Sequence, residues 1–190
     1  MPDRFSASRC GNDCSAGLSA GGVVVSIATH VHAPTMSPSD PTPAIPEGFK
    51  ERRFGHEGFI NINGPLYARR TGSTLQLGFR VERRHCNLMG ILHGGMMATF
   101  CDMLLPISAH VLSSELANRF LPTINLQIDY LAASPLGSWV QGEAQLLRTT
   151  KSLVFMQGLV HADDAVAARV SGIFKIGPPF DDTLSLTPTP

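Results

Sequence analysis

NLMGILHGGMMATFCDMLL, residues 87–105, decides how this chain is read. From Met96 to Leu105 it has the apolar composition of a buried helix, broken by one charge, Asp102. No other Asp, Glu, Lys or Arg lies between His93 and Glu115, so nothing within the run offsets that charge. An ionised carboxylate buried alone is strongly destabilising. A chain that keeps one there is expected to use it for chemistry. Gly94, eight residues upstream, belongs to a His93-Gly94-Gly95 turn that would open the helix. The first N–H groups of a helix have no internal acceptor and carry partial positive charge. Glycine lets a carbonyl approach that backbone closely, so such a turn can hold a developing oxyanion.

The spacing limits what these groups can do together. Eight helical residues rise about 12 Å. An acid–base partner must lie within about 3 Å of its target, or act through one water. Asp102 therefore cannot reach a carbonyl held at Gly94 of its own chain. If both serve one reaction, they come from two subunits with antiparallel helices, which predicts a two-fold dimer with two shared sites. Asp102 would activate water or attack a carbonyl itself, forming an anhydride. Otherwise it is a buried Asp that caps a loop or pairs with an Arg from elsewhere. The Asn87 amide, between the preceding strand and the turn, could hold water or a carbonyl. Thr123 could orient Asp102 or its water, or serve only as a β-branched strand residue.

The rest of the domain reads outward from this helix, which spans about residues 94–112 with Pro106 as an expected kink or stop. Before it, Leu75, Leu77, Phe79 and Val81 alternate with Gln76, Gly78, Arg80 and Glu82, the period of a half-buried strand. After it come four strand-like runs, 123–131, 138–148, 153–161 and 166–176, with Asp163-Asp164 as a hairpin turn. Short connections favour antiparallel pairing. One helix, apolar on most faces, needs a sheet to wrap it. The expectation is an α+β domain: a curved antiparallel sheet around one long central helix.

Positions 1–45 are rich in Ser, Gly, Pro and Ala and read as a disordered leader; 46–177 form the domain; 178–190 read as a disordered tail. The apolar run Val23–Ala28 is shorter than the core of an export signal, and Met36 is an alternative start. No apolar stretch is expected to cross a bilayer. The 15 basic and 15 acidic residues balance, which argues against nucleic-acid binding by bulk charge. Cys10, Cys14, Cys86 and Cys101 form no C-x-x-C pair, so neither a disulfide framework nor a zinc knuckle is expected, in keeping with the cytoplasm. A metal site built from His85, Cys86, His93 and Cys101 would match no known ligand spacing.

The segment Asn87-x-x-Gly90-x-x-His93-Gly94-Gly95, followed by Asp102, resembles the signature of hotdog-fold acyl-CoA thioesterases, above all the PaaI-like group of the 4-hydroxybenzoyl-CoA thioesterase superfamily. The resemblance covers about residues 56–176. It implies the hotdog fold, which the strand and helix pattern reaches independently. It implies Asp102 as nucleophile or general base, Gly94 N–H polarising a thioester carbonyl, and Asn87 and His93 positioning substrate and turn. Thr123 falls where relatives carry a Ser or Thr near the carboxylate. The family pairs these groups across a dimer, often stacked as a tetramer, and needs no metal or organic cofactor.

An acyl-CoA substrate would bring phosphates. Gly95, and Arg148, Lys151 and Ser152 around one strand turn, are candidate substrate contacts, the last three also readable as a solvated hairpin. Arg83, Arg84 and His85 form a second basic rim. Leu88, Met89, Met96, Met97 and Met103 are candidates to line an acyl pocket, or plain core. Two other functions compete: a non-catalytic acyl-CoA sensor, which would tend to lose the helix carboxylate, and a hydratase using His93 with Asp102. The spacing fits the thioesterase pattern better than either.

Overall fold

A computed structural model describes residues 44–52 and 58–180. The expected leader up to residue 43, Cys10, Cys14, the segment 53–57 and the tail from 181 lie outside the described residues. The elements run β1 (Lys50–Arg52), α1 (Phe59–Asn63), β2 (Leu66–Thr71), β3 (Thr74–Arg80), α2 (Gly94–Leu112), β4 (Thr123–Tyr130), β5 (Trp139–Thr149), β6 (Leu153–Ala162) and β7 (Ala165–Lys175). All seven strands join one antiparallel sheet in the order β1-β2-β3-β5-β6-β7-β4. The long helix α2 packs against it, so the expected α+β architecture is the one observed.

The alternation in the strands explains the burial. Leu75, Leu77 and Phe79 of β3, Val140 and Ala144 of β5, Val154, Met156 and Val160 of β6, and Val170 and Phe174 of β7 are buried. They meet Met96, Met97, Phe100, Cys101, Leu104, Leu105 and Ala109 of α2. Each fully buried Leu or Phe contributes roughly 1.5–3 kcal/mol. Two glycines let the sheet close on the helix. A Cβ on Gly142 would lie 2.5 Å from Leu104 Cδ2, and one on Gly172 would lie 2.7 Å from Leu105 Cδ1.

Four expectations need correction. The sheet holds two strands that the alternation did not signal, β1 and β2. Lys50-Glu51-Arg52 is short, exposed and charged, and takes strand form by pairing with Leu66–Ala68. The Gly- and Asn-rich stretch before Tyr67 forms α1 and the entry to β2, and Arg84 donates to the carbonyls of Ile62 and Gly64 there. Secondly, α2 neither ends nor breaks at Pro106; it runs through it for 19 residues. Thirdly, α2 is long and apolar enough by composition to cross a membrane. Its buried residues face the sheet instead, which is the setting of a core helix. Fourthly, the start of the expected tail is docked. Pro178 O accepts from Phe120 N, Phe180 N donates to Asn118 O, and the Phe180 ring lies edge-on to His110 and Phe120.

Strand β4 ends the strand order of the sheet. It pairs only with β7, so its other side is a free sheet edge among the described residues. Ile124 and Tyr130 on this strand, and Leu131 just after it, stay exposed.

Candidate active site

The turn before α2 is held by its own polar groups. Asn87 Oδ1 accepts from Met89 N, and Asn87 O accepts from Gly90 N, whose φ of 72° suits glycine. His93 caps the helix: its Nδ1 accepts from Gly95 N at 2.9 Å. In that bond Nδ1 is the acceptor and carries no hydrogen. The carbonyl of His93 accepts from both Met96 N and Met97 N. Gly94, the first residue of α2, has no acceptor for its N–H within the helix. It lines a cavity of about 400 Å³ together with Asn87, Ile91, Leu92, Met97, Tyr130, Leu131, Ala132, Ala133 and Ser134. The two expected donors at the turn thus divide. Gly94 borders the cavity and its N–H has no partner among the described residues, while Gly95 N–H, expected to contact substrate, is already used by the His93 cap.

Asp102 stands two turns along α2. It is half-exposed, not buried as the sequence suggests. The reason is its place on the helix: Ala98, Thr99, Asp102, Met103 and Pro106 form a stripe that the sheet leaves partly open, while Phe100, Cys101, Leu104 and Leu105 face inward. The carboxylate has a partner from another element: Thr123 Oγ1 donates to Asp102 Oδ1 at 2.7 Å. Asp102 Oδ2 takes no hydrogen bond among the described residues. Pro106, four residues on, has no N–H to give the Asp102 carbonyl, so that helix bond is missing. Cys101, next in line, is no competing nucleophile. Burial first, and the Asp102 charge second, push its thiol up to about 12.

These residues form two clusters. Gly94, Asn87 and Tyr130 meet at one end of β4, where Tyr130 Oη donates to Gly94 O at 2.9 Å. Asp102 meets Thr123 at the other end of β4. Seven residues of strand separate Thr123 from Tyr130, roughly 23 Å. The reach argument from the sequence therefore holds within one chain. Arg148, Lys151 and Ser152 are exposed around the β5–β6 turn and do not line the cavity. Register places this turn at the Asp102 end. Thr123 pairs with Phe174, Phe174 with Val154, and Val154 with Thr149. Three strand spacings make about 14 Å.

Of the expected lining residues, only Met97 borders this cavity. Met96 and Met103 border a small void beneath α1, with Ile60 and Leu66. Leu88 and Met89 are 106% and 78% exposed, because the turn closed by Asn87 throws them outward. Tyr130 is the residue that the sequence reading missed. It sat in plain view as the polar-tipped end of the Ile124-Leu126-Ile128-Tyr130 face, but nothing in the sequence shows which backbone its tip would reach. Among the described residues, no group of three or more His, Cys, Asp or Glu gathers as a metal site.

Residues 89–168, which carry the helix turn, Asp102 and Thr123, match the family model described as the thioesterase superfamily, 4HBT. A Pseudomonas aeruginosa protein known as a candidate esterase is 26% identical over 133 residues, 70% of this chain and 97% of that protein. Mouse acyl-coenzyme A thioesterase 13 is 30% identical over 78 residues, 40% of this chain and 52% of that protein. Zebrafish thioesterase superfamily member 2 shares the fold with a TM-score of 0.58 at 22% identity, over 65% of this chain and 89% of its own. A Streptococcus pneumoniae thioesterase solved with coenzyme A does so with a TM-score of 0.54 at 15% identity, over 64% and 97%. The turn and the helix lie within the stretch that resembles the 4HBT thioesterase superfamily, and the long helix packed on its antiparallel sheet is the hotdog-like fold of these solved structures.

Proposed function

We propose that this protein hydrolyses acyl-CoA thioesters, acyl-CoA plus water giving a carboxylic acid and free CoA, at a site shared between two protomers. The observation that carries the reading is the division of the site. An unspent amide and a carboxylate with its own orienting hydroxyl lie at opposite ends of one free edge strand. Antiparallel pairing of β4 with the β4 of a second copy brings the start of each strand beside the end of the other. It brings Asp102 and Thr123 of one protomer toward Gly94, Asn87 and Tyr130 of its partner. The exposed Ile124, Tyr130 and Leu131, and the half-open stripe of α2, supply an apolar surface for that contact. A strand edge with unpaired N–H and C=O groups is itself a template for pairing.

In this arrangement Gly94 N–H and the free Asn87 amide N–H groups hold the thioester oxygen and stabilise the oxyanion. Asp102 Oδ2 takes a proton from water as that water attacks the carbonyl carbon. The half-exposed setting of Asp102, already hydrogen-bonded at Oδ1, favours this base role over direct attack, because a hydrated carboxylate is a weaker nucleophile. The oxyanion then collapses, the C–S bond breaks, and the Asp102 carboxyl gives its proton to the departing sulfur, so that CoA leaves as the thiol. The cavity beside Gly94 receives the acyl group. Arg148, Lys151 and Ser152 are proposed to meet the CoA phosphates, and a CoA-dependent reaction suits the cytoplasm. The same surfaces support a dimer as the minimum assembly, and dimers of this kind can stack as a tetramer.

The test is release of free thiol from a panel of aryl, branched and medium-chain acyl-CoA substrates, wild type against Asp102→Asn. Turnover that disappears in a variant still dimeric supports the reading. An unchanged rate refutes it, and binding without turnover in the wild type identifies a sensor instead.

A further inference from the structure

We propose that Tyr130 is a positioning residue for the carbonyl-binding amide, tying the edge strand β4 to the first turn of α2. The inference rests on the hydrolytic reading above and goes beyond the Asp102, Thr123, Asn87 and Gly94 set. Three observations support it. The Tyr130 hydroxyl donates to Gly94 O at 2.9 Å, across 36 residues of sequence. The ring lies over Gly94: a Cβ there would sit 3.6 Å from Tyr130 Cε1 and 3.7 Å from its Oη. Tyr130 and Gly94 line the same cavity wall.

Gly94 is held from both sides. The peptide before it is fixed by the His93 carbonyl, which accepts two helix amides. The peptide after it is fixed by Tyr130 at its oxygen and by the His93 ring at its N–H. Glycine has the widest backbone freedom of any residue, and these bonds on both of its peptides restrain it at the mouth of the cavity. Burial raises the Tyr130 phenol above its ordinary value, so the hydroxyl keeps its proton and stays a donor. Because Tyr130 lies on the free edge strand, pairing of that strand with a second copy also sets the angle of the amide. The half-site for the oxyanion is then complete only when the dimer forms.

Tyr130→Phe keeps the ring and removes the hydroxyl. The expected result is a fall in kcat of about tenfold, with KM within about twofold and the dimer intact by sedimentation. In the ligand-free protein, the Gly94 amide should shift in its ¹H–¹⁵N resonance and exchange faster. A kcat equal to wild type, or an equal loss in kcat and thermal stability with no change at the Gly94 amide, overturns the proposal. If the wild type hydrolyses no thioester, the hydrolytic reading fails, and the Gly94 amide alone then decides. An unchanged amide in Tyr130→Phe overturns the positioning role, and a changed one upholds it.

Discussion

Thr123 donates its hydroxyl hydrogen to Asp102 Oδ1 at 2.7 Å, joining the first residue of an edge strand to the middle of the central helix. The bond fixes which carboxylate oxygen is occupied and leaves Oδ2 free. Thr123→Val, which keeps the shape and removes the hydroxyl, should lower kcat about tenfold, the weight of one hydrogen bond to a charged group. Thr123→Ser should restore it to within about threefold. Steady-state kinetics of the pair check this, and equal losses in Val and Ser variants would show that the hydroxyl does not matter.

Asp102→Asn should cost about 10²–10⁴ in kcat, the usual range for losing a general base. The fold should survive, since Asn can still accept from Thr123. Single turnover in ¹⁸O-water separates the two roles of the carboxylate. A base puts the label into the product acid in the first turnover; an anhydride opened by water at the Asp102 carbon retains first-turnover label on the enzyme. The expected outcome is label in the product from the start, read by mass spectrometry of both acid and protein.

A site divided between protomers has a signature that no single-chain site can imitate. Asp102→Asn and Asn87→Ala should each be nearly inactive. Co-expressed in equal amounts, they form mixed dimers in about half the population, with one of two sites intact, so about a quarter of wild-type activity should return. Mixed dimers that stay inactive would place both groups in one chain and remove the basis of the shared site.

The strands after α2 were legible because each alternates inward apolar and outward polar residues over most of its length. The half-sites were legible in part because Asn87, His93, Gly94 and Asp102 lie within 16 positions, where local turn and helix geometry govern. Strands β1 and β2 were not, because their strand form comes from pairing with each other and with β3 rather than from alternation of their own residues. Arg69 bonds Gln76 across the hairpin, and Phe49 and Tyr67 pack on Trp139. Burial of Asp102 was misjudged for a related reason: an apolar run does not reveal which helix stripe the sheet leaves open. Leu88 and Met89 were misplaced because side-chain type says nothing about a turn that faces away from the core.

The sheet also tolerates little added volume at one glycine. A Cβ on Gly158 would lie 2.6 Å from the Glu143 carbonyl oxygen, a backbone atom that cannot swing aside. At Gly142 the obstruction is the tip of Leu104, which can rotate. Gly158→Ala should therefore destabilise by about 1–3 kcal/mol, and more than Gly142→Ala. Urea unfolding midpoints of the two variants give the order directly.

Acid should weaken the fold through two histidines, His85 and His110. His85 is buried, accepts Glu82 N at Nδ1 and lies edge-on to Phe79. His110 bonds the Arg119 carbonyl beneath Phe180. Burial, the largest cause in each, holds both below the ordinary value of 6.5. Below that value the unfolded chain takes up protons that the folded chain refuses, so unfolding is favoured as pH falls. Their contribution is intact above about 6.5 and is lost as pH descends through the lowered folded values. His110→Gln, which keeps a donor for the Arg119 carbonyl but cannot titrate, should flatten the decline in thermal midpoint between pH 7 and 5. A variant whose midpoint falls as steeply as wild type would show that the His110 ring is protonated without cost in the folded protein.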